Sequence, residues 1–378
     1  MGAGRRGVVG FFARHQCVQV DPIDVAGRNA DLTLQSRVVG YRREHLTDLL
    51  YKERRLFEYY CKMLCILPIE LYPLFKRQMA SYSSEERTRA FFRKYKAETR
   101  QILKALEKGP VSSRDVDSMG RVKSGWGHNM SVSNMILTRL WISGRVGICG
   151  RDGPAKTYCL PEDILPEHLL AAEPPKNGED INGIARIIVN AARLVTPTGS
   201  ADQWHEVGNA KEVREILQHL ERERNVFEVE VEGSKEKFYA PVEDMEHWET
   251  GGRVVEDYVR FLAPLDPLIW NRRVFSTVYG MEYSWEIYKK PENRKYGYYC
   301  LPIMFNGEYV GLIEPYLRKK ERVLEIRSFH FLAGDVKRSS FLSALSEELE
   351  RFCAYLNAEG TEVRQSPAWV RGALTIAA

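Results

Sequence analysis

Gln19 and Asp21 are the residues whose types and spacing point most directly to chemistry. Each is preceded by a valine, and in a short strand this alternation places Gln19 and Asp21 on the same face. Pro22 follows and favours an extended backbone at Asp21. An amide that donates and accepts, beside a carboxylate that only accepts, can hold and polarise one water molecule. In the simpler alternative, Asp21 or Asp24 caps the segment after Pro22 and Gln19 is merely exposed.

The composition is that of a globular protein with more than one domain. The chain has 378 residues, of which 44% are hydrophobic. No apolar run approaches the length of a membrane span and the N-terminus lacks the apolar region of a signal peptide, so we expect a cytoplasmic protein without a membrane partner. Among seven scattered cysteines, only Cys61 and Cys65 are close, and their spacing predicts one side of a helix without further zinc ligands. We therefore expect reduced core thiols and no bound metal.

Charge is distributed unevenly along the chain, although the formal net charge is only +4. Residues 85–160 contain fifteen Lys or Arg against seven Asp or Glu, whereas residues 212–260 contain seven against fourteen. A basic block beside an acidic block predicts a positive face for a polyanion, although a solvated surface explains charge runs more often.

The order of the predicted elements is that of a winged helix, and it occurs twice. Helical patterns at 92–106 and 132–140, with a short segment capped by Ser112 and Ser113 between them, precede strands at 145–149 and 156–160. Three helices and a hairpin recur over 184–240, after a linker rich in proline and acidic residues. Upstream of both units, the apolar spacing from Leu46 to Leu64 predicts a helix with a break near Lys52.

The last third of the chain predicts a small sheet and one helix. Strand patterns at 284–288, 296–305, 309–313 and 323–331, with Asn306 and Gly307 as a hairpin turn, predict a small antiparallel β-barrel or a curled sheet. Apolar spacing over 341–356 predicts a C-terminal helix, and we expect a loosely ordered tail after Gly360. The predicted fold class is therefore α+β: tandem winged helix-turn-helix units, then a small antiparallel β-barrel and a C-terminal helix.

Five stretches carry a resemblance to one known family, namely 18–23, 49–59, 67–70, 262–273 and 295–302. Through them the chain resembles the YcaQ-type interstrand-crosslink-repair DNA glycosylases, which are winged-helix DNA-binding proteins. The resemblance implies three tandem winged helices and a C-terminal barrel, and it places Gln19 and Asp21 on the Gln-x-Asp catalytic motif. That branch of the family acts broadly on N7-alkylguanine, including bulky adducts and crosslinks. The family usually has another helix before residues 8–14, so either the first winged helix is incomplete or the natural start lies upstream.

The resemblance also sets the expected domains and surroundings of the protein. We expect a nucleoid-associated monomer that binds double-stranded DNA containing alkylated guanine. The expected domains are an N-terminal winged-helix unit with the Gln-x-Asp motif at 1–85, a second winged helix at 86–166, a third at 180–245, the β-barrel at 253–335 and the C-terminal helix at 338–358.

The motif suits a monofunctional DNA glycosylase that hydrolyses the N-glycosidic bond of N7-alkylated guanine without a cofactor. Alkylation at N7 makes the base cationic, so its departure requires no general acid. Asp21 would stabilise positive charge on the sugar and act as general base, while Gln19 would orient the water. No lysine lies in the motif to form a Schiff base, which argues against lyase activity. We expect the pair to lie exposed on the floor of an open, basic, concave cleft.

Winged helices usually bind DNA without chemistry, so a transcription regulator is the main alternative, and a structural DNA-bridging protein is a third class. In all three classes of protein, most of the basic candidates should contact DNA phosphates. Such contacts fix the position of the protein on DNA without reading its sequence. The candidates in the second winged helix are Lys123, Arg139, Arg145, Arg151 and Lys156, and those on the barrel are Arg272, Arg273, Arg294 and Lys295. For the last four, a structural role is an equal alternative.

Overall fold

The computed structural model describes residues 2–376 except 113, 117–119, 124–128, 200–202, 252–256 and 335, and it leaves the side chains of 122, 123 and 129 undescribed. Its helices are α1 (Gly4–His15), α2 (Asn29–Gln35), α3 (Arg43–Thr47), α4 (Tyr72–Ser84), α5 (Glu86–Lys94), α6 (Lys96–Leu106), α7 (Val132–Ile142), α8 (Glu167–Ala171), α9 (Glu179–Ala192), α10 (Ala210–Arg222), α11 (Met245–Glu249), α12 (Arg272–Tyr279) and α13 (Arg338–Leu356).

Short strands lie between these helices and form several small sheets. The strands are β1 (Val18–Gln19), β2 (Leu56–Tyr60), β3 (Leu64–Pro68), β4 (Val111–Ser112), β5 (Arg121–Lys123), β6 (Asn129–Ser131), β7 (Gly147–Asp152), β8 (Ala155–Cys159), β9 (Val226–Val229), β10 (Phe238–Pro241), β11 (Val259–Phe261), β12 (Leu301–Phe305), β13 (Glu308–Arg318), β14 (Val323–Phe331) and β15 (Gly360–Gln365). The sheet orders are β1-β3-β2, β4-β8-β7, β5-β6, β9-β10 and β11-β12-β13-β14-β15. The mixture of helices and small sheets confirms the α+β class.

Two compact units divide the chain. The first unit comprises Met1–Leu46, Tyr60–Cys65 and Ala185–Ala378, and the second comprises Thr47–Tyr59 and Ile66–Ile184. Within the described ranges, no helix is both long and apolar enough to cross a membrane.

The first helix leads directly into the strand that carries Gln19. Phe11 and Phe12 bury the apolar face of α1, and His15 stacks on Phe11 with ring centroids 4.6 Å apart. Burial lowers the pKa of His15 to about 3, so its imidazole is neutral at physiological pH. Gln16 ends the helix in the left-handed conformation, with φ 59°, and its N–H donates to the Phe12 carbonyl at 3.0 Å. The chain therefore turns sharply before β1.

Residues 56–68 form a β-hairpin, so the second half of the helix predicted over 46–64 is wrong. A tight turn joins β2 to β3, with the Cys61 N–H donating to the Met63 carbonyl at 2.9 Å. Seven of the ten residues in the two strands are buried, in unbroken runs, so the apolar residues do not alternate and their spacing imitates a helical stripe. Cys61 and Cys65 consequently lie on a hairpin rather than on one side of a helix.

In the second unit, the helix predicted over 132–140 and the hairpin after it are present as α7 and β7–β8. The Ser131 side chain caps α7 by accepting from the amide of Asn134. The short helix predicted after Ser112 is wrong within the described residues. Ser112 lies in β4, which pairs with β8. The Ser112 backbone amide donates to the Asp115 carboxylate at 2.8 Å, which forms a turn. Position 113 and the turn predicted at 125–127 lie outside the described residues.

Helices α9 and α10 and the hairpin β9–β10 match the first and third helices and the hairpin predicted over 184–240. Asn209 and Glu212 form a capping box at the start of α10, each side chain accepting from the other residue's backbone amide. Position 202, where the predicted middle helix begins, lies outside the described residues, and residues 203–207 form turns.

The C-terminal sheet is open and mixed, not a closed antiparallel barrel. Strands β11 to β14 pair antiparallel, whereas β15 follows the crossover helix α13 and joins β14 in parallel. Among the described residues, β11 and β15 are not paired with each other. Asn306 and Gly307, with φ 49° and 87°, form the predicted tight turn between β12 and β13.

Two further predictions for this region are wrong. Residues 284–288 form loops and turns instead of a strand, because the buried Glu286 accepts the backbone amides of Tyr296 at 2.8 Å and Gly297 at 3.4 Å. The tail after Gly360 contains β15, and the Thr361 N–H donates to the Ile376 carbonyl at 3.0 Å. Parallel pairing with β14 therefore orders residues that looked like a loose end.

Candidate active site

Strand β1 holds Gln19 in the interior of the first unit. The Val20 N–H donates to the Leu64 carbonyl at 2.8 Å, which attaches the end of β1 to β3. Only 6% of Gln19 is exposed, and Val18 is fully buried. Because both faces of the strand are covered, the predicted exposure of Gln19 on a cleft floor is wrong.

Lys62 contacts the side chain of Gln19, and the sequence analysis did not identify it. The Lys62 Nζ donates to Gln19 Oε1 at 3.0 Å, and only 5% of Lys62 is exposed. The ammonium also lies 5.5 Å from the centroid of the Trp270 ring, within reach of a cation–π interaction. Lys62 lies in the turn between β2 and β3. Because the apolar spacing of this segment predicts a helix, the sequence pattern gives no sign that Lys62 contacts Gln19.

Asn29 links the backbone of Gln19 to a distant segment of the first unit. Its Nδ2 donates to the Gln19 carbonyl at 2.9 Å and to the Leu265 carbonyl at 3.3 Å, and its Oδ1 accepts from the Leu265 N–H at 2.9 Å. Trp270 donates its indole N–H to the same Leu265 carbonyl at 3.0 Å. The position of β1 is therefore set by side chains that are far apart in sequence.

Asp21 follows β1 and is half-buried. Its Oδ1 accepts from the Ile23 N–H at 2.9 Å, so the carboxylate closes a small turn at Pro22. Burial raises the pKa of Asp21, and the hydrogen bond from Ile23 offsets part of that shift. The pKa of Tyr299 is raised by burial and further by the negative charge of Asp21. No other described residue hydrogen-bonds the carboxylate, so Asp21 Oδ2 can accept from water.

Asp24 anchors the segment after Asp21 beside a basic concave surface. Its Oδ1 accepts from the Gly27 N–H at 3.0 Å, and its carboxylate receives Arg43 at 3.1 and 3.2 Å and Lys319 at 3.2 Å. Burial raises the pKa of Asp24, but the hydrogen bonds and charges of Arg43 and Lys319 outweigh burial and lower it. The basic residues that line an adjoining cavity of about 550 Å³ are Arg42, Arg43, Lys319 and Arg322.

A sequence model of the family described as DNA glycosylase AlkZ-like matches residues 12–355. The chain belongs to the AlkZ-like DNA glycosylase family. It is therefore a DNA glycosylase of DNA repair, and the two classes that bind DNA without catalysis are set aside. Among solved structures, the DNA glycosylase AlkZ of Streptomyces sahachiroi matches with a TM-score of 0.60 at 18% sequence identity, covering 94% of this chain and 92% of that chain. At this identity the likeness concerns the fold.

The basic residues predicted to contact DNA differ in their surroundings in this AlkZ-like glycosylase. In the second unit, Arg145 is exposed, with its guanidinium 5.4 Å from the centroid of the Phe92 ring. Arg139 is half-buried and lies 4.3 Å from the centroid of the Phe91 ring. Lys123 lies on β5, but its side chain is outside the described residues.

Arg151 and Lys156, on the hairpin β7–β8, are both held by other residues of the second unit. Arg151 forms a buried ion pair with Glu58, with Nε 2.9 Å from Oε1. The Lys156 Nζ lies 4.2 Å from the centroid of the Trp141 ring, and burial lowers the pKa of Lys156 to about 8. These contacts give the two residues a structural role in the hairpin.

Arg272 and Arg273, at the start of α12, also have protein partners. The Arg272 guanidinium lies 4.4 Å from the centroid of the Tyr283 ring, and burial lowers the pKa of Arg272. Arg273 is exposed and forms an ion pair with Glu236 at 2.8 Å. Of the two, only Arg273 presents its charge at the surface.

Arg294 and Lys295 lie in a loop that combines basic and aromatic side chains. The Arg294 guanidinium is 4.9 Å from the centroid of the Tyr298 ring, and Lys295 Nζ is 4.8 Å from that of Tyr296. In the same loop, 85% of Tyr288 is exposed. Basic and aromatic groups presented together are typical of nucleic-acid contacts.

Proposed function

We propose that this glycosylase hydrolyses the N-glycosidic bond of N7-alkylated guanine in double-stranded DNA, with Asp21 and Gln19 as its catalytic residues. The observation that carries the proposal is the Asp21 carboxylate. It is half-buried, lies two positions after Gln19, and is hydrogen-bonded through one oxygen by the Ile23 amide. Its other oxygen can accept a proton from the attacking water.

The chemistry suits a base that is already cationic. When the bond between C1′ and N9 breaks, the bonding electron pair goes to the base, which leaves as neutral N7-alkylguanine without a general acid. The sugar becomes positively charged, and the Asp21 carboxylate stabilises that charge. Water then adds to C1′, Asp21 takes its proton, and Gln19 holds the water oxygen in position. Burial favours this role because it raises the pKa of Asp21 toward that of a useful base.

We further propose that bulky adducts and interstrand crosslinks are substrates, approached from a groove without full extrusion of the base. A crosslinked guanine cannot leave the stack freely, so a closed pocket around a flipped base would exclude it. Asp21 is half-buried whereas Gln19 is almost fully buried. We therefore assign the contact on the DNA side to Asp21 and an inner position to Gln19.

For DNA binding, we propose that α6, α7, β7 and β8 act as a winged-helix module and that the protein works as a monomer. The exposed Arg145 is the best candidate for a phosphate contact in that module. In the first unit, the candidates are Arg294, Lys295 and the exposed Arg42 of the basic cavity. Arg139 and Arg294 are weaker candidates because both are half-buried.

The experiment that tests the proposal is incubation of the protein with duplex DNA carrying N7-methylguanine, scored for released base. We expect release by the wild-type protein, a large loss in Asp21→Asn, and no release from matched DNA carrying uracil. A neutral pyrimidine needs leaving-group activation, whereas a cationic N7-alkylguanine does not. Efficient uracil release would contradict the proposed selectivity, and no release of N7-methylguanine would contradict the substrate.

A further inference from the structure

We propose that Lys62 is a positioning residue that decides which end of the Gln19 amide faces the reaction, an inference that rests on the catalytic role proposed above for Gln19. A glutamine amide offers an acceptor oxygen at one end and a donor NH₂ group at the other. A lysine ammonium only donates, so the amide end that it contacts must be the oxygen. The 3.0 Å contact between Lys62 Nζ and Gln19 Oε1 therefore directs Gln19 Nε2 away from Lys62.

The backbone around Lys62 and Gln19 holds this contact in place. Two residues after Lys62, the Leu64 carbonyl accepts from Val20, which fixes β1 against β3. On the other side, Asn29 donates to the Gln19 carbonyl at 2.9 Å. Because Lys62 and Gln19 are 5% and 6% exposed, rotation of the amide would leave a buried polar atom without its partner.

The orientation gives each member of the catalytic pair a different task. Within the described residues, no hydrogen bond joins Gln19 Nε2 to another protein group, so this donor can serve the reaction. A water molecule that accepts from Gln19 Nε2 and donates to Asp21 keeps one lone pair for C1′. Asp21 then takes the proton of the water, and Gln19 only positions its oxygen.

The positive charge of Lys62 could also act on the reaction directly. The two effects of Lys62, charge and amide orientation, change the rate of base release in opposite directions, so a measurement separates them. The sugar of the transition state is positive, and a nearby cation opposes its formation. If charge dominated the effect of Lys62, its removal would speed base release, whereas loss of amide orientation would slow it. We expect slower release, because the ammonium donates to the Gln19 amide and also forms a cation–π contact with the face of Trp270.

The test measures single-turnover release of N7-methylguanine by variants of the full chain. Lys62→Met keeps most of the length of the side chain but removes the donor, and we expect about a tenfold lower rate constant with DNA affinity changed by about twofold or less. Lys62→Arg keeps a cation that only donates, so it should recover most of the rate. Lys211→Met, the same substitution at an exposed lysine on α10, is the matched control and should match the wild type. Thermal unfolding checks that each variant folds.

A double variant separates an effect through Gln19 from a general effect. In the Gln19→Ala background, Lys62→Met should cause no further loss, because the amide on which Lys62 acts is gone. Gln19→Glu gives a second test if Lys62→Met does not fold. Its carboxylate keeps the contact with Lys62 but presents an acceptor in place of the donor, and we expect a rate no higher than that of Gln19→Ala.

Several results would overturn the proposal. They are a Lys62→Met rate equal to or above wild type, an additive loss in the double variant, or a Gln19→Glu rate near wild type. A Lys62-dependent adduct with abasic DNA after borohydride reduction would make Lys62 a nucleophile instead. A wild-type rate in Gln19→Ala would refute the role of Gln19 and this proposal with it, whereas loss in Gln19→Ala without loss in Lys62→Met refutes this proposal alone.

Discussion

The side chain of Asn29 and the backbone of Leu265 form hydrogen bonds in both directions, at 2.9 and 3.3 Å, although 236 residues separate them. The same Asn29 nitrogen donates to the Gln19 carbonyl at 2.9 Å. Only 1% of Asn29 is exposed, so water cannot replace these bonds if they are lost. One buried side chain thus joins the strand that carries the candidate catalytic amide to the last third of the chain.

Asn29→Asp should therefore destabilise the protein and reduce base release together. The substitution keeps the shape of the side chain but leaves the carbonyls of Gln19 and Leu265 facing a buried carboxylate. We expect the free energy of unfolding to fall by about 2–4 kcal/mol, measured by urea denaturation. Asn293→Asp, on an exposed turn, should change neither quantity. Unaltered stability in Asn29→Asp would contradict the importance assigned to these bonds.

Asp21→Asn should remove most base release while DNA binding stays nearly intact. Asparagine keeps the shape of the side chain and an acceptor for the Ile23 amide, but it loses the charge and the base. We expect single-turnover release of N7-methylguanine to fall about 100-fold or more, and Gln19→Ala to lose less because solvent can partly replace a positioning contact. Affinity for the same duplex, measured by fluorescence anisotropy, serves as the control. Release by Asp21→Asn at the wild-type rate would remove the carboxylate from the mechanism.

The acid limb of the pH–rate profile should lie above the usual range for an aspartate. Burial raises the pKa of Asp21 above its ordinary value of 3.8, and a protonated carboxyl group cannot take a proton from water. The rate constant should therefore rise with pH through the raised pKa and level off above it. Single-turnover rates between about pH 4 and 8, corrected for spontaneous depurination, check this expectation. The limb should disappear in Asp21→Asn, and a limb at or below 3.8 in the wild type would contradict the assignment.

The basic residues should separate into DNA contacts and structural groups. Arg42→Gln, Arg145→Gln and Lys295→Gln remove exposed charges, and each should lower the slope of log affinity against log salt by about one. Arg151→Gln should leave that slope unchanged but reduce the free energy of unfolding by about 3–5 kcal/mol, because it leaves Glu58 buried without its ionic partner. Anisotropy titrations at several salt concentrations and urea denaturation measure the two effects. A lower slope in Arg151→Gln at wild-type stability would reverse the assignment.

Local patterns in the sequence were sufficient to predict several elements of the fold. Helices α9 and α10 have clear apolar periodicity. Gln19 and Asp21 were singled out by their types and spacing together with the family resemblance, and their catalytic role stays a prediction. The surroundings of the pair were beyond such patterns. Lys62 was missed because β2 and β3 are buried on both faces and lack alternation, which hid the hairpin. The bonds of Asn29 to Leu265 leave no local signal, since they depend on the fold that brings the two segments together.

The discontinuity of the first unit has a consequence for the newly made protein. Its N-terminal part, Met1–Leu46, packs with residues that follow Ala185, and Asn29 binds Leu265. During translation the segment with Gln19 and Asp21 leaves the ribosome well before those partners exist. A nascent or C-terminally truncated chain thus carries the candidate catalytic pair without the framework that positions it. The pair is therefore held by this framework only after the chain has been made past Leu265.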